Sequence, residues 1–156
     1  MNRVRLLMVT LLVVLAGCTP KSGTKAQGDT VKASFKTQSD VAKHLDDAFI
    51  QSLGFKAIAC PTQAVSRNVV KHCFVSPDEP EPLLPNISRV MDAHWEKSMQ
   101  WRQDFGFWVS QYRLKESGSY GALISLIAPG LSDDLREDAR FKDQGTLAWF
   151  IIDKPQ

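Results

Sequence analysis

The sequence lacks a long apolar run, and this limits how the chain can meet a membrane. Its most apolar stretch, Leu6–Leu15, is only ten residues long. A helix that spans the hydrocarbon core of a bilayer needs about 20 apolar residues. We therefore expect no retained membrane-spanning helix.

An excess of positive charge is also missing. The chain has 19 Lys and Arg against 17 Asp and Glu, and without Arg3 and Arg5 the balance is 17 against 17. Proteins that bind nucleic acid through its phosphates need a basic face. Because no run of Lys or Arg supplies such a face, we expect no nucleic-acid partner.

Catalytic and metal-binding motifs are absent too. The histidines, His44, His72 and His94, are isolated, and neither a zinc-type His-Glu-x-x-His pattern nor a Gly-x-Ser-x-Gly elbow occurs. The adjacent acids at 46–47 and 133–134 would diverge by about 100° on a helix, which suits solvated faces. We predict a noncatalytic domain without metal or cofactor. The alternative is a surface hydrolase with a dispersed site around His72 or His94.

What the chain does have is an export signal. A basic start at residues 1–5 precedes the apolar stretch Leu6–Leu15, and small residues follow. This arrangement is typical of a secretory signal peptide. The ending Leu15-Ala16-Gly17-Cys18 resembles the lipobox of bacterial lipoproteins. The resemblance implies cleavage before Cys18 and a diacylglycerol on its thiol, whereas a plain secretory signal with a chance cysteine is the alternative.

The lipobox resemblance also implies a location in the cell envelope. Residues 1–17 would be removed, and the diacylated Cys18 would hold the protein on a lipid bilayer, because two acyl chains anchor stably where one does not. In double-membrane bacteria an aspartate after the cysteine retains a lipoprotein at the inner membrane. Thr19 stands at that position, which implies the outer membrane if the source has one.

The segment after the cysteine predicts a flexible tether. Residues 18–36 are rich in Lys, Ser, Thr, Gly and Gln, and such a segment spans an r.m.s. distance of roughly 23 Å. The remainder, residues 37–156, has the size of a single domain.

The other two cysteines predict a disulfide. Cys60 and Cys73 form an even pair in a compartment where disulfides persist. If Phe55–Ala64 and Val69–Phe74 form a hairpin with a turn at 65–68, Cys60 lies opposite Cys73. The bond would close a loop of about 14 residues and stabilise the fold by roughly 3 kcal/mol. A metal or redox site is the alternative, although the Cys-x-x-Cys pattern is absent.

Periodicity predicts the secondary structure of the domain. Apolar residues at helical spacing predict helices over Ser39–Leu53 and from Pro85 to Gln103. Aromatic and aliphatic runs predict strands over Phe107–Leu114, Gly121–Ala128 and Leu147–Ile152, and a short helix is expected after Ser132. The fold class is therefore α+β, with two helices packed on one face of an antiparallel sheet in the order α-ββ-α-βββ. In element order alone it resembles small secreted inhibitory domains of the β-lactamase inhibitory protein type, which implies no residue roles.

The segment Ser76–Pro82 alternates prolines with acids. We predict a stiff surface connector, since proline removes backbone donors and acids prefer water. A docking strip is the alternative.

The stretch from Trp101 to Trp108 is the candidate binding surface. It crowds four aromatic residues into eight positions, and they cannot all face inward if a strand alternates. Because Trp and Arg are enriched at binding hot spots, we predict an interface for an unidentified protein, peptide or cell-wall partner. Its residues are Trp101, Arg102, Phe105, Phe107 and Trp108. Ordinary edge packing is the alternative.

Overall fold

The computed structural model describes residues 35–61, 70–116 and 120–153. The predicted signal peptide, the lipidation site Cys18 and the tether before residue 35 lie outside the described residues. Within those residues, no helix combines the length and hydropathy that a membrane crossing requires.

Helix α1 (Gln38–Asp47) begins with a capping box. The Thr37 hydroxyl accepts a hydrogen bond from the Asp40 N–H at 3.1 Å, and the Asp40 carboxylate accepts one from the Thr37 N–H at 2.9 Å. A π-helical turn, Ala48–Ser52, continues the helix, and Gly54 follows with a φ of 73°. The helical prediction for this segment is confirmed, and its apolar stripe is buried: Val41, Leu45 and Phe49.

Strands β1 (Lys56–Ile58) and β2 (Val70–Ser76) form the next pair. They are antiparallel, but Cys73 lies opposite Ile58, so the predicted register with Cys60 opposite Cys73 is wrong by two residues. A shift of two keeps both cysteines on one face of the sheet. Their Sγ atoms accordingly lie at disulfide distance, 2.12 Å, with the Cα atoms 5.1 Å apart. The predicted turn at 65–68 lies outside the described residues.

Helix α2 (Pro80–Met91) starts five residues before the predicted Pro85. Part of the segment predicted as a connector is therefore helical. Pro80 occupies the first helical position, where its missing N–H costs nothing. The predicted helix also extends too far, because residues 95–104 form a strand.

That strand, β3 (Trp95–Asp104), pairs with β4 (Phe107–Leu114). In its first half the exposed positions alternate with less exposed ones, which is the pattern of a strand with one covered face. The prediction of helix over 95–103 is therefore wrong.

The remaining strands are β5 (Gly121–Ile127) and β6 (Thr146–Asp153), with short helical turns between them: Pro129–Leu131, α3 (Asp133–Arg136) and Ala139–Phe141. All strands join one antiparallel sheet in the order β1-β2-β6-β5-β4-β3. The α+β class is confirmed. Within the described residues the order of main elements is α-ββ-α-ββββ, one strand more than predicted, because residues 95–103 belong to a strand and not to a helix.

Two clusters of buried side chains lie on the two faces of the sheet. The larger combines residues of α1 and α2 with even-numbered residues of the central strands, among them Leu45, Ile87, Ile124, Leu126 and Phe150. The smaller joins odd-numbered strand residues to the segment between β5 and β6: Cys73, Val75, Ile127, Phe141 and Leu147. Strand β6 contributes to both, as its unbroken apolar sequence predicts.

Candidate functional site

A two-residue turn, Phe105-Gly106, joins β3 to β4. Asp104 and Phe107 pair across it, and φ is 47° at Phe105 and 82° at Gly106. Positive φ at both positions is what a type I′ turn requires, and that turn matches the twist of a hairpin. Glycine adopts such a conformation freely, whereas for another L-residue it costs about 1–2 kcal/mol. The Phe105 side chain is nevertheless 95% exposed, so burial does not offset this strain.

The two tryptophans of the predicted interface face the helices. The Trp101 indole N–H donates a hydrogen bond of 2.9 Å to the Ser88 hydroxyl on α2, and both Trp101 and Trp108 pack against the larger core cluster. Trp108 pairs across the hairpin with Gln103 and is half-buried. These contacts fix the hairpin to α2.

The other predicted residues lie elsewhere on the hairpin. Phe107 is on the opposite face, edge-on to Trp149 with ring centroids 5.7 Å apart. Arg102 is exposed and pairs with Val109. The five predicted residues are thus divided between the two faces and the tip, as strand alternation demands.

A groove of about 430 Å³ lies between this hairpin and the start of α2. Its lining comes from three segments of the chain: Gln103, Gly106 and Trp108 from the hairpin, Glu79, Pro80, Glu81 and Pro82 from the start of α2, and Ala128 and Leu131 from the connection after β5. The Leu131 side chain is 64% exposed. The sequence does not predict this groove. The alternating prolines and glutamates that line it do belong to the segment with a docking strip as its alternative interpretation.

Hydrogen bonds from Gly145 and from Thr146, the first residue of β6, position the segment that leads into α2. The Gly145 N–H donates to the Ser76 carbonyl at 3.0 Å, and the Thr146 hydroxyl donates to the Asp78 carbonyl at 2.6 Å. A Cβ at Gly145 would lie 2.5 Å from the Pro77 carbonyl oxygen. Only glycine therefore permits this close approach, which holds one wall of the groove in place.

A second cleft, of about 370 Å³, contains one of the predicted histidines. His72 Nδ1 lies 2.7 Å from Asp46 Oδ1, and the His72 ring stacks on Phe150 with centroids 5.1 Å apart. Cys60 and Cys73 also line this cleft. Its described lining includes no Ser or Thr hydroxyl that could serve as a nucleophile.

His94 belongs to a separate cluster. Its ring lies edge-on to His44 with centroids 4.9 Å apart, and its Nδ1 is 3.9 Å from a Glu116 carboxylate oxygen. Phe35, from the segment predicted as tether, packs edge-on to His44 at 5.0 Å. Burial, and next the nearby His94, lower the pKa of His44.

Lys71 occupies an apolar site on the face of the sheet that carries the smaller cluster of buried side chains. Its ammonium lies 5.1 Å from the centre of the Trp149 ring, and burial lowers the pKa of this lysine. The adjacent cavity is small, about 50 Å³. The site is too narrow for more than a small group.

The described residues contain no group of three His, Cys, Asp or Glu side chains placed to hold a metal ion. Comparisons with known proteins found no family model, no curated protein and no solved structure that matches this chain.

Proposed function

We propose that this protein is a lipid-anchored lipoprotein of the cell envelope, whose domain is a noncatalytic binding or accessory module. The lipobox resemblance supports an anchor at Cys18 in a lipid bilayer, at the outer membrane if the source has one. We infer that both helices cover one face of the sheet, since buried residues of α1 and α2 share one core cluster.

The side chain of Phe105 carries the proposal. It is 95% exposed at a turn position where φ is positive, and Asn is the residue that such a turn prefers. Neither burial nor backbone preference favours a phenylalanine there. Aromatic anchors dominate many binding interfaces, and the groove beside the tip supplies a surface for the rest of a partner.

Site-specific photo-crosslinking tests the binding role in the native envelope. A photoreactive phenylalanine at position 105 should give a discrete crosslinked product, and Phe105→Asn should lower recovery of that partner at least tenfold. Ile50 is the matched control, because its large apolar side chain is also exposed, at 43%, but lies in the π-helical turn that follows α1. Ile50→Asn should leave recovery unchanged. Equal recovery from both variants would reject the proposal.

The anchor has its own test. Cys18→Ser should release the protein from the membrane fraction or leave it unprocessed, because the thiol that receives the lipid is gone. Mass spectrometry of the mature N-terminus should find a diacylated cysteine. An unmodified N-terminus at another residue would contradict the lipoprotein assignment.

A surface hydrolase is the second candidate, and the contact between His72 and Asp46 favours it. A carboxylate at 2.7 Å from Nδ1 would orient the ring and leave Nε2 to act as a general base. If the domain is noncatalytic, His72→Gln and Asp46→Asn leave partner recovery and the cellular phenotype intact. Loss of the phenotype in a folded His72→Gln protein that still binds its partner would favour the hydrolase.

A further inference from the structure

We propose that the groove beside Phe105 binds a basic segment of a polypeptide partner, with a Lys or Arg side chain seated between the Trp108 ring and the Glu79 and Glu81 carboxylates. This inference rests on the proposed binding function and names the chemistry of the partner. The groove of about 430 Å³ has room for a long side chain and its neighbours.

The charge of the groove is negative. Glu79 and Glu81 line it, and the exposed Asp104 precedes the turn. The salt bridges found among the described residues use other acids and leave these three carboxylates without a partner there. A cation entering the groove would therefore gain charge-assisted hydrogen bonds without displacing an internal ion pair.

The start of α2 offers an anion fewer donors than most helix N-termini do. Helix N-termini ordinarily attract anions through free N–H groups, but Pro80 and Pro82 have no N–H to offer. Pro85 lies inside the helix and likewise cannot donate to the carbonyl of Glu81, four residues earlier. The first turn thus has fewer donors, with the Glu81 N–H remaining between the two prolines, and it keeps a carbonyl acceptor outside the helical hydrogen-bond ladder.

The apolar part of the groove suits the stem and head of a long basic side chain. Trp108 is half-buried and lines the groove, so part of its indole remains accessible. A cation over a tryptophan face is attracted by the ring quadrupole. Phe105 and Leu131, 95% and 64% exposed, offer contacts for apolar residues that flank the basic one.

The same charges argue against insertion of the hairpin tip into an anionic bilayer. Anionic headgroups attract basic segments, whereas the residues nearest the tip and groove include Asp104, Glu79 and Glu81. Arg102 is the only basic residue in strands β3 and β4 within four positions of Phe105. The groove therefore matches a basic polypeptide better than an anionic lipid surface.

Peptide titration of the full mature protein in a non-ionic detergent tests the assignment. The probe is an acetylated, amidated peptide, Leu-Arg-Ser-Leu-Arg, and its controls carry citrulline or glutamate in place of arginine. The Trp108 indole N–H signal reports occupancy by NMR. The arginine peptide should bind at least fivefold more tightly than the citrulline peptide, and added salt should reduce the difference because exposed charges are screened.

Charge-neutral variants locate the site. Glu79→Gln combined with Glu81→Gln should reduce the preference for arginine over citrulline to less than twofold. Glu96→Gln is the matched control. This exposed acid lies on β3, the strand that also contains Asp104, but roughly 26 Å along the strand from it. Equal binding of the arginine and citrulline peptides, tighter binding of the glutamate peptide, or no binding of any peptide at millimolar concentration would overturn the proposal.

Partner recovery separates this inference from the proposed function. If Phe105→Asn abolishes recovery while the double glutamate variant does not, the tip binds but the basic-segment assignment fails. If Phe105→Asn leaves recovery unchanged, the binding function itself fails. Crosslinks from position 105 that reach only lipid, together with binding to phosphatidylglycerol vesicles, would show that the tip binds a membrane and not a polypeptide. That result would overturn the inference.

Discussion

The two edges of the sheet are secured in different ways. At one edge β1 is only three residues long and is tied to β2 through the Cys60–Cys73 pair. At the other edge β3 is ten residues long, shifts register twice against β4 and ends in the Phe105-Gly106 turn. Short strands and register shifts both limit unwanted edge pairing. The stapled edge presents a disulfide, whereas the long edge presents an exposed aromatic ring, so the staple and the proposed recognition surface lie at opposite edges.

The largest effect should come from breaking the staple. Cys60→Ser with Cys73→Ser should lower the free energy of unfolding by about 3 kcal/mol, because the unfolded chain regains the freedom of a closed loop. Urea denaturation measures this, and reduction of the native protein should give a similar loss. The Trp108 indole signal, on the strand next to the opposite edge, should not move. Two freely alkylated thiols in protein taken from the envelope would refute the disulfide.

The next effect comes from the contact that positions the groove. Gly145→Ala should destabilise the fold by about 1–3 kcal/mol, because the new methyl group meets the backbone of Pro77 and Asp78. Gly130→Ala is the matched control, since a Cβ there has no neighbour within 4 Å. Thermal unfolding compares the two. Equal losses would show that the close approach at Gly145 is not what constrains the wall of the groove.

A smaller effect of opposite sign is expected at the hairpin tip. Phe105→Asn should stabilise the domain by about 0.5–1 kcal/mol, because asparagine tolerates positive φ at lower cost. Gly106→Ala should instead destabilise it, since φ there is 82°. Chemical denaturation of both variants would show it. A destabilised Phe105→Asn protein would mean that the phenyl ring serves the fold rather than a partner.

The smallest effect is a dependence on pH at the edge where β3 begins. Burial and His94 lower the pKa of His44 below its ordinary value of 6.5, so the folded protein takes up this proton less readily than the unfolded chain. Stability from this group is therefore complete above about pH 6.5 and declines as the pH falls below it. Urea midpoints at pH 7.5 and 5.5 should differ less in His44→Gln than in the native protein. An identical difference would exclude His44 as the cause.

Most of the fold could be predicted from local patterns, and the failure at β3 has a physical reason. Strands β4, β5 and β6 have compact apolar runs, and α1 with its π-helical continuation has a regular apolar stripe that is followed by Gly54. Between Asn86 and Phe105, however, there is no Gly or Pro to mark the boundary of a helix and a strand. Apolar residues there fit both periods, and the hydrogen bond from Trp101 to Ser88 that joins strand to helix is a tertiary contact.

Of the candidate site, only the hairpin segment could be predicted from the sequence. The density of aromatic residues from Trp101 to Trp108 predicts a binding surface in this segment. Which rings are exposed depends on strand alternation and on the turn. Glu81 and Leu131 are each more than 20 residues in sequence from the hairpin residues that line the groove with them. No local pattern reports such an approach, so the groove emerges only from the tertiary fold.

The position of β6 in the sheet limits the order in which the strands can pair during synthesis. This strand lies between β2 and β5, yet it follows both of them in the chain, and Val70 pairs with Ile152. While a ribosome adds about 5–20 residues per second, the sheet remains in two unjoined parts until residues 146–153 are available. For the exported protein proposed above, the chain could therefore enter a translocation channel before its sheet is complete, and the two edges would be united only on the far side of the membrane.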